Sequence, residues 1–420
     1  PSMKQRIGIT ALGVALPRRY LTMDALAHAR GVDPAKYLHG LGAVEMAVAE
    51  PGEDTVALAA MAARRALTAS GLDPRQLGLL VVGTETGVDH SKPVASFVHG
   101  LLGLPAAMRV YDCQHACYGG TAGLMAAVDW IASGAADGRA ALVVCSDVAR
   151  YGVGTAGEPT QGAGAVAMVV STDPALVALD VGVSGAASAH VHDFWRPLGQ
   201  REAQVDGHYS VQCYLDALGT AYRGWRARAT AVGALDGGGL ASERLARICY
   251  HVPFCKMARK AHLHVRRCDL DDAGAGWDAA REEVDGLAAY RTQVEPSLGL
   301  CAQVGNVYTG SLYLALAGLL GAQADALAGQ RIGLFSYGSG CTSEFFSGVV
   351  MPEAAARIAA AQLPELLAAR ERIDVAEYER IMALAPTAPL PAGELAPGAV
   401  RFTGVVDHRR QYAVGPAGAR

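Results

Sequence analysis

A cysteine placed between a polar stretch and a glycine-rich helix start is the residue of this sequence best set for covalent chemistry. Asp112 to His115 lead into Ala116-Cys117-Tyr118-Gly119-Gly120-Thr121, and then into the helical pattern AGLMAAVDWIAS. That spacing puts Cys117 at or just before a helix N-terminus. Unpaired N–H groups and the helix dipole there favour a thiolate and are expected to lower the thiol pKa from about 8.5. The glycines let backbone amides approach a carbonyl oxygen, as an oxyanion hole requires. A free cysteine is also commonly a small buried hydrophobe, so the local pattern leaves both roles open.

His251 follows a short apolar run in ICYHVPFCKMARKAHLHV, with Pro253 restricting the backbone just beyond. A histidine at a strand end before a kinked segment can offer its imidazole to a cleft as proton donor or acceptor, or can sit hydrogen-bonded in the core. Cys249, His251 and Cys255 invite comparison with a metal site. The spacing is not C-x-x-C and no second ligand pair follows, so no metal is expected. The cations Lys256, Arg259, Lys260, Arg266 and Arg267 come next. Such a run is usually a solvated face; beside a nucleophile it can receive the phosphates of a carrier, and Lys256 and Lys260 fall one turn apart if the segment is helical.

Glu85 leaves the buried run LGLLVVGTE ahead of TGVDHSKP. It reads either as a cap of the next helix or as a general base whose pKa an apolar setting raises. Asn306 in VGNVYTGS and Ser339 in SYGSGC stand in glycine-bordered loops. They can orient a thioester, supply a backbone N–H, or simply stabilise the loop.

These candidates need a scaffold. Short β-rich runs alternate with helical ones: LGLLVVGT, a helix over Val94 to Leu102, AALVVCSD, then GAGAVAMVVS. The alternation argues for an α/β protein. Residues 1–14 read as a first strand and not as a signal segment, because no long apolar stretch precedes Pro17, Arg18 and Arg19. Pro296 to Ala324 carries no charge, yet it contains Gln303, Asn306, Tyr308, Thr309 and Ser311, so it reads as a loop followed by a buried helix. LDGGGLA around Gly237 to Gly239 resembles an exposed connection, and Pro386 to Pro397 a Pro-rich surface loop.

With 420 residues and 51% hydrophobic side chains the chain can bury a large core without disulfide staples. Lys and Arg number 36 against 40 Asp and Glu, a net charge of -4, so no global positive field recommends a nucleic acid or an anionic membrane as partner. Nine scattered cysteines, an odd number in a long chain, fit a reducing cytoplasm better than a secreted disulfide framework.

The sequence also resembles itself. ACYGGTAGL from Ala116 matches NVYTGSLYL from Asn306, with Tyr118 over Tyr308, Gly120 over Gly310, Thr121 over Ser311 and Leu124 over Leu314. At nearly the same offset RAALVVCSD from Arg139 faces RIGLFSYGS from Arg331. Two segments recurring in order predict two similar halves packed around one site.

Taken together, the segments VGTETGVDHSK, ACYGGTAG, GEPTQGAGAVAM, HDFWRP, YHVPFCKMARKA, GNVYTGSLYLAL and FSYGSG resemble the 3-hydroxy-3-methylglutaryl-CoA synthases, thiolase-like condensing enzymes, in the family's order across most of the chain. The bacterial mevalonate-pathway branch is the most similar. The resemblance implies a thiolase-like five-layered αβαβα fold of two halves, residues 1–172 with the nucleophile and 173–420 with the catalytic histidine, and a homodimer. It assigns the acyl-accepting cysteine to Cys117, the glutamate to Glu85, the catalytic histidine to His251 and the acetoacetyl-orienting asparagine to Asn306. Ser339, Lys256, Lys260 and Tyr151 join Asn306 as substrate-binding candidates.

The implied partners are acetyl-CoA, acetoacetyl-CoA and CoA, with no cofactor, since CoA thioesters are substrate and product and no redox change occurs. Ala43 after Gly40-Leu41-Gly42, and His115-Ala116 before Cys117, depart from the mevalonate pattern. GCTSEFFSGVV at 340–350 is similar to the polyketide β-branching relatives, which accept acyl-carrier-protein thioesters; that carrier is the alternative reading.

Overall fold

The apolar runs form strands buried on both faces, and their period of two decides what each face meets. A computed structural model of the chain describes residues 6–235, 239–389 and 393–416. Parts of three sequence expectations, at residues 1–5, 236–238 and 390–392, lie outside the described residues. The strands of the main sheet are β1 (Gly8–Ala15), β2 (Leu77–Gly83), β3 (Arg109–Cys113), β4 (Ala140–Ala149), β5 (Gly162–Ser171), β6 (Val177–Ser188), β7 (Arg247–Tyr250), β8 (Arg331–Gly338) and β9 (Thr342–Val350). The principal helices are α1 (Thr55–Ser70), α2 (Val94–Leu102), α3 (Gly119–Ala132), α4 (Gly207–Ala231), α5 (Lys256–Asp272) and α6 (Ser311–Leu327).

Hydrogen bonding orders the strands β7-β8-β9-β6-β1-β5-β4-β2-β3. The order is a duplication. In one half β2 and β4 are parallel, β4 and β5 antiparallel, β5 and β1 antiparallel. In the other, β7 and β8 are parallel, β8 and β9 antiparallel, β9 and β6 antiparallel. The halves join through the narrow β1–β6 contact, Gly8 opposite Ala178 and Ile9 opposite Val177. The matching segments from Arg139 and Arg331 are β4 and β8, and those from Ala116 and Asn306 are the entrances to α3 and α6.

Five layers result. Leu80, Val82, Leu142, Val144, Ala165 and Val169 face α1, with its alanine-rich surface, in one core cluster. Their alternates Leu79, Val81, Val143, Cys145, Val166 and Met168 face α3 in another. The N-termini of α3 and α6 meet between the two half-sheets, where the Thr121 and Tyr313 hydroxyls are 2.7 Å apart and Thr121 Oγ1 donates to Ser336 Oγ at 2.8 Å. Helix α4 covers the outer face of β6 and β9, and α5 packs on α4.

The last part of the chain returns to the first half. Strand 371–372 pairs with 19–22, and the hairpin of 400–406 and 409–414 docks on α1, with Arg410 and Tyr412 both donating to Asp54 at 2.7 Å.

Helix α2 shows that Glu85 is not the cap of the following helix. Its first amides, Val94 N and Ala95 N, donate to the two oxygens of Asp112 at 2.6 and 2.9 Å, across from the end of β3. Losing an N-terminal cap costs about 0.5–2 kcal/mol. Asp112→Ala is therefore expected to lower the thermal midpoint by a loss of about that size, as read by calorimetry. An unchanged midpoint would show that water replaces the cap without loss.

Candidate active site

Both halves contribute the same two positions. Glu85 lies just beyond the C-terminal end of β2, and His251 follows the end of β7, its counterpart. Cys117 stands at the entrance to α3, and Asn306 at the entrance to α6. The carboxyl ends of strands beside helix N-termini are where an α/β layer leaves room for a ligand. Close backbone approach makes the assembly possible. A Cβ on Gly83 would lie 2.2 Å from Gly120 N, and one on Gly338 would lie 2.6 Å from Tyr118 N, so glycine alone lets β2 and β8 abut the Cys117 loop. Ala116 adopts φ +36°, a conformation unusual for a residue with a side chain, immediately before the cysteine.

A cavity of about 150 Å³ is lined by Cys117, Tyr151, His251, Asn306 and Ser339, with Phe194, Tyr214, Phe254, Met257, Tyr308 and Tyr337 among its walls. Five of the eight sequence candidates therefore meet in one space. Glu85 lines a separate open cleft of about 550 Å³, and reaches the cysteine through the wall between the two: Cys117 Sγ donates to Glu85 Oε1 at 3.7 Å. Lys256 and Lys260 do begin α5 one turn apart, but neither lines the cavity. Lys256 N bonds Leu41 O at 3.0 Å, which sets the start of α5 against the Gly40-Leu41-Gly42 loop.

The electrostatics differ from the expectation at Cys117. Burial, followed by the charges of Glu85 and Asp147, pushes the thiol well up and not down. Two carboxylates in a dry pocket outweigh the dipole of a helix whose first amides are already engaged: Tyr118 N and Gly119 N bond His115 O at 2.8 and 3.1 Å, and Gly120 N bonds Thr309 Oγ1 at 2.6 Å. The resting thiol is neutral, and Glu85 is its proton acceptor in the ionised form of the carboxyl. Glu85 itself is pushed up to about 8, first by burial and then by Asp147, with Arg196 and the thiol opposing.

Burial likewise lowers His251 to about 3, so its imidazole is neutral at physiological pH. Its backbone is held on both sides, N–H to Phe335 O at 2.7 Å and O from Tyr214 OH at 2.8 Å. Its Nδ1 is buried without a partner among the described residues. Asn306 Oδ1 accepts from Tyr308 N at 2.9 Å and Ser311 Oγ at 3.1 Å, which leaves the amide nitrogen as the group to offer a substrate carbonyl. Tyr151 N donates to Gln161 Oε1 at 2.7 Å, which ties its loop to β5.

Three supporting residues escaped the sequence reading. Asp147 is fully buried and accepts from Thr84 Oγ1 at 2.8 Å, Glu85 N at 3.0 Å, Thr86 N at 3.1 Å and Thr86 Oγ1 at 2.6 Å, which shapes the turn that carries Glu85. The repeat held its signal, because Asp147 aligns with Ser339. Arg196 donates to Glu85 O and stands 3.7 Å from Glu85 Oε2. Asp193 accepts from Tyr337 OH at 2.5 Å and Gly340 N at 2.9 Å, and so braces the Ser339 loop. Both belong to HDFWRP, a segment legible only as a motif.

Two other expectations change. Arg266 is not a docking cation: it is buried, bonded to Glu282 at 2.6 and 3.1 Å and to Glu243 at 2.9 Å. GCTSEFFSGVV, the segment that kept a protein carrier in view, is mostly β9, an interior strand between β8 and β6, and is largely buried. All nine cysteines are free thiols. Among the described residues no group of three or more His, Cys, Asp or Glu is arranged to hold a metal ion, and no helix is long and apolar enough to cross a membrane.

Comparison with known proteins shows the family. The family model described as "Hydroxymethylglutaryl-coenzyme A synthase N terminal" matches residues 3–175, and the corresponding C-terminal model matches 177–287 and 285–389. A hydroxymethylglutaryl-CoA synthase of Enterococcus faecalis is 37% identical over 377 residues, 90% of this chain and 91% of that one. One of Schizosaccharomyces pombe is 34% identical over 448 residues, 98% and 99% of the two chains. Among solved structures, MvaS in complex with 3-hydroxy-3-methylglutaryl coenzyme A aligns with a TM-score of 0.96 at 62% identity, over 98% of this chain and all of that one. The Curacin biosynthetic HMG synthase in complex with acetyl donor-ACP aligns with a TM-score of 0.87 at 31% identity, over 98% and 100%.

Proposed function

Because the chain belongs to the hydroxymethylglutaryl-CoA synthase family, we propose that its activity runs through Cys117, Glu85 and His251 in the cavity and wall described above. The protein is an acyltransferase, a hydroxymethylglutaryl-CoA synthase, which condenses acetyl-CoA with acetoacetyl-CoA and water to give 3-hydroxy-3-methylglutaryl-CoA and CoA, a step of the mevalonate route. The observation that carries the residue assignment is the Cys117 Sγ to Glu85 Oε1 contact at 3.7 Å, made where the cavity also holds His251 and Asn306.

In the proposed sequence the Cys117 sulfur attacks the acetyl carbonyl as its proton passes to Glu85, and CoA leaves as the protonated thiol. The amides of Cys117 and Ser339 receive the oxyanion, since those of Tyr118 and Gly119 are engaged by His115 O and that of Gly120 by Thr309 Oγ1. Glu85, again a carboxylate, removes a proton from the acetyl methyl, and the enolate carbon bonds to the β-carbonyl of acetoacetyl-CoA. Asn306 orients that substrate, while His251 hydrogen-bonds the ketone and gives up a proton as alkoxide charge develops. A neutral imidazole suits this task, because the strong base formed needs no imidazolium to protonate it. The methyl proton held by Glu85 then passes through solvent to the imidazole, which restores both groups, and water cleaves the Cys117 thioester. No metal or redox cofactor is required, since the thioester already acidifies the α-carbon. Tyr151 walls the acyl end, and Lys256 and Lys260 meet the carrier phosphates outside the cavity.

CoA is the proposed carrier. Support comes from the resemblance to MvaS with its bound product, at twice the identity of the carrier-protein enzyme, and from the burial of β9. Steady-state loss of the acetoacetyl thioester should favour free CoA substrates. An advantage of about tenfold or more for carrier-protein thioesters, about 1.4 kcal/mol of transition-state preference, would reverse this assignment.

The halves 1–172 and 173–420, a reducing cytoplasm and a homodimer belong to the same proposal. Nine free thiols support the compartment. The dimer is supported by β3, which ends the sheet with an uncovered edge and a 36%-exposed Tyr111. Light scattering that returned the mass of one chain would remove it.

A further inference from the structure

Hydrolysis of the final thioester poses a problem of access. The Cys117 cavity is small and mostly aromatic or apolar, and at that stage it contains the newly built acyl chain together with the arm of its carrier. A water occupies about 30 Å³ of liquid, a substantial fraction of that space. Glu85 nonetheless has two sides. Its Oε1 meets Cys117 Sγ at 3.7 Å, and its Oε2 lies 3.7 Å from the guanidinium of Arg196. Arg196, together with Gly87, His90 and Trp195, lines the open cleft of about 550 Å³ on the far side of the wall, and Glu85, its side chain only 7% exposed, forms part of the same lining. The carboxylate therefore bridges a closed acyl space and an open aqueous one.

We propose that this cleft is the water route for product release: the hydrolytic water reaches Glu85 from the Arg196 side, while the thioester arm keeps the cavity filled. The inference rests on the reading of Cys117 as acyl carrier and Glu85 as base. The step balances without a co-reactant. Glu85 takes one proton from water as the oxygen bonds to the thioester carbonyl carbon. The C–S bond then breaks, and the Cys117 sulfur leaves as thiolate and recovers that proton from Glu85. The product keeps the water oxygen in its new carboxyl group, whose own proton passes to solvent.

Narrowing the cleft tests the route without touching the cavity. A Cβ at Gly87 meets no heavy atom within 4 Å, so Gly87→Leu fills open space. Rapid-quench intact-mass analysis would follow three events: acetylation of Cys117, condensation, and release of the covalent adduct that still carries CoA. The expected result is hydrolysis slowed about tenfold or more, with the adduct accumulating, while acetylation and condensation stay within about twofold of the unmodified enzyme. Acetylation is itself the test of a folded site; if Gly87→Leu does not acetylate, His90→Trp narrows the same cleft from another residue and decides. Hydrolysis at the wild-type rate in an acetylating variant overturns the route. So does condensation falling in parallel with hydrolysis, since that marks a displaced Glu85. If the unmodified enzyme never acetylates Cys117, the reading of the site fails first, and the inference falls with it.

Discussion

Cys117→Ser should abolish acyl transfer, lowering turnover by at least about a thousandfold, which is about 4 kcal/mol of barrier. The substitution changes little in shape. It replaces sulfur, already costly to ionise here because of burial and two carboxylates, with an oxygen far harder to ionise, and Glu85 at 3.7 Å cannot make up the difference. Incubation with acetyl-CoA, quenching and peptide mapping decide the outcome. A label on Cys145, Cys255 or another cysteine in the unmodified protein, with none on Cys117, would remove the assignment.

Glu85→Ala should separate the two halves of the reaction. Condensation requires the methyl proton to leave, so its rate should fall about 10²- to 10⁴-fold. Acetylation should survive, slowed by the loss of one proton acceptor but not abolished, because Glu85 is also one of the charges that hold the thiol up and its removal makes the thiolate easier to form. Acetyl-enzyme then accumulates. Condensation at the wild-type rate would end the general-base role; the capping role has already passed to Asp112. The pH profile carries an independent sign. A base works deprotonated, and the Glu85 pKa lies near about 8, so the condensation rate should climb as pH rises through that value and level off above it. The Glu85→Ala enzyme should lose this limb. His251→Ala should impair use of acetoacetyl-CoA more than acetylation, since the imidazole acts on the second substrate.

The site is a duplication, and this explains why it could be read at all. A strand end and a helix entrance occur once in each half, filled by Glu85 and Cys117 in one and by His251 and Asn306 in the other. The glycine-bordered segments around them differ enough from ordinary core to be noticed. The third repeated position, after β4 and β8, is Asp147 in one half and Ser339 in the other. Sequence reading took up Ser339 alone. Nothing in CSD says that a carboxylate will be wrapped by the Thr84 to Thr86 turn; that depends on β2 and β4 lying in register, Val82 opposite Val144.

Local pattern determined the strands β2, β4 and β5, the helix over Val94 to Leu102, the helix entrance after Cys117 and the strand end before His251. Each follows from residues within a few positions of one another, through alternation, glycine placement and helix signals. Tertiary structure alone decided the charge state of Cys117, because desolvation and the approach of two carboxylates 32 and 30 positions away are properties of the packed pocket, not of the helix that begins beside it. It also decided that Arg266 is sealed against Glu282 while Lys260, six residues earlier on the same helix, is exposed. A basic run shows its charges, but only the packing of α5 against its neighbours selects which face meets water. Finally, it decided that Glu85 stands between two cavities, because that placement depends on Gly83 abutting Gly120, a contact between residues from different elements that no local pattern contains.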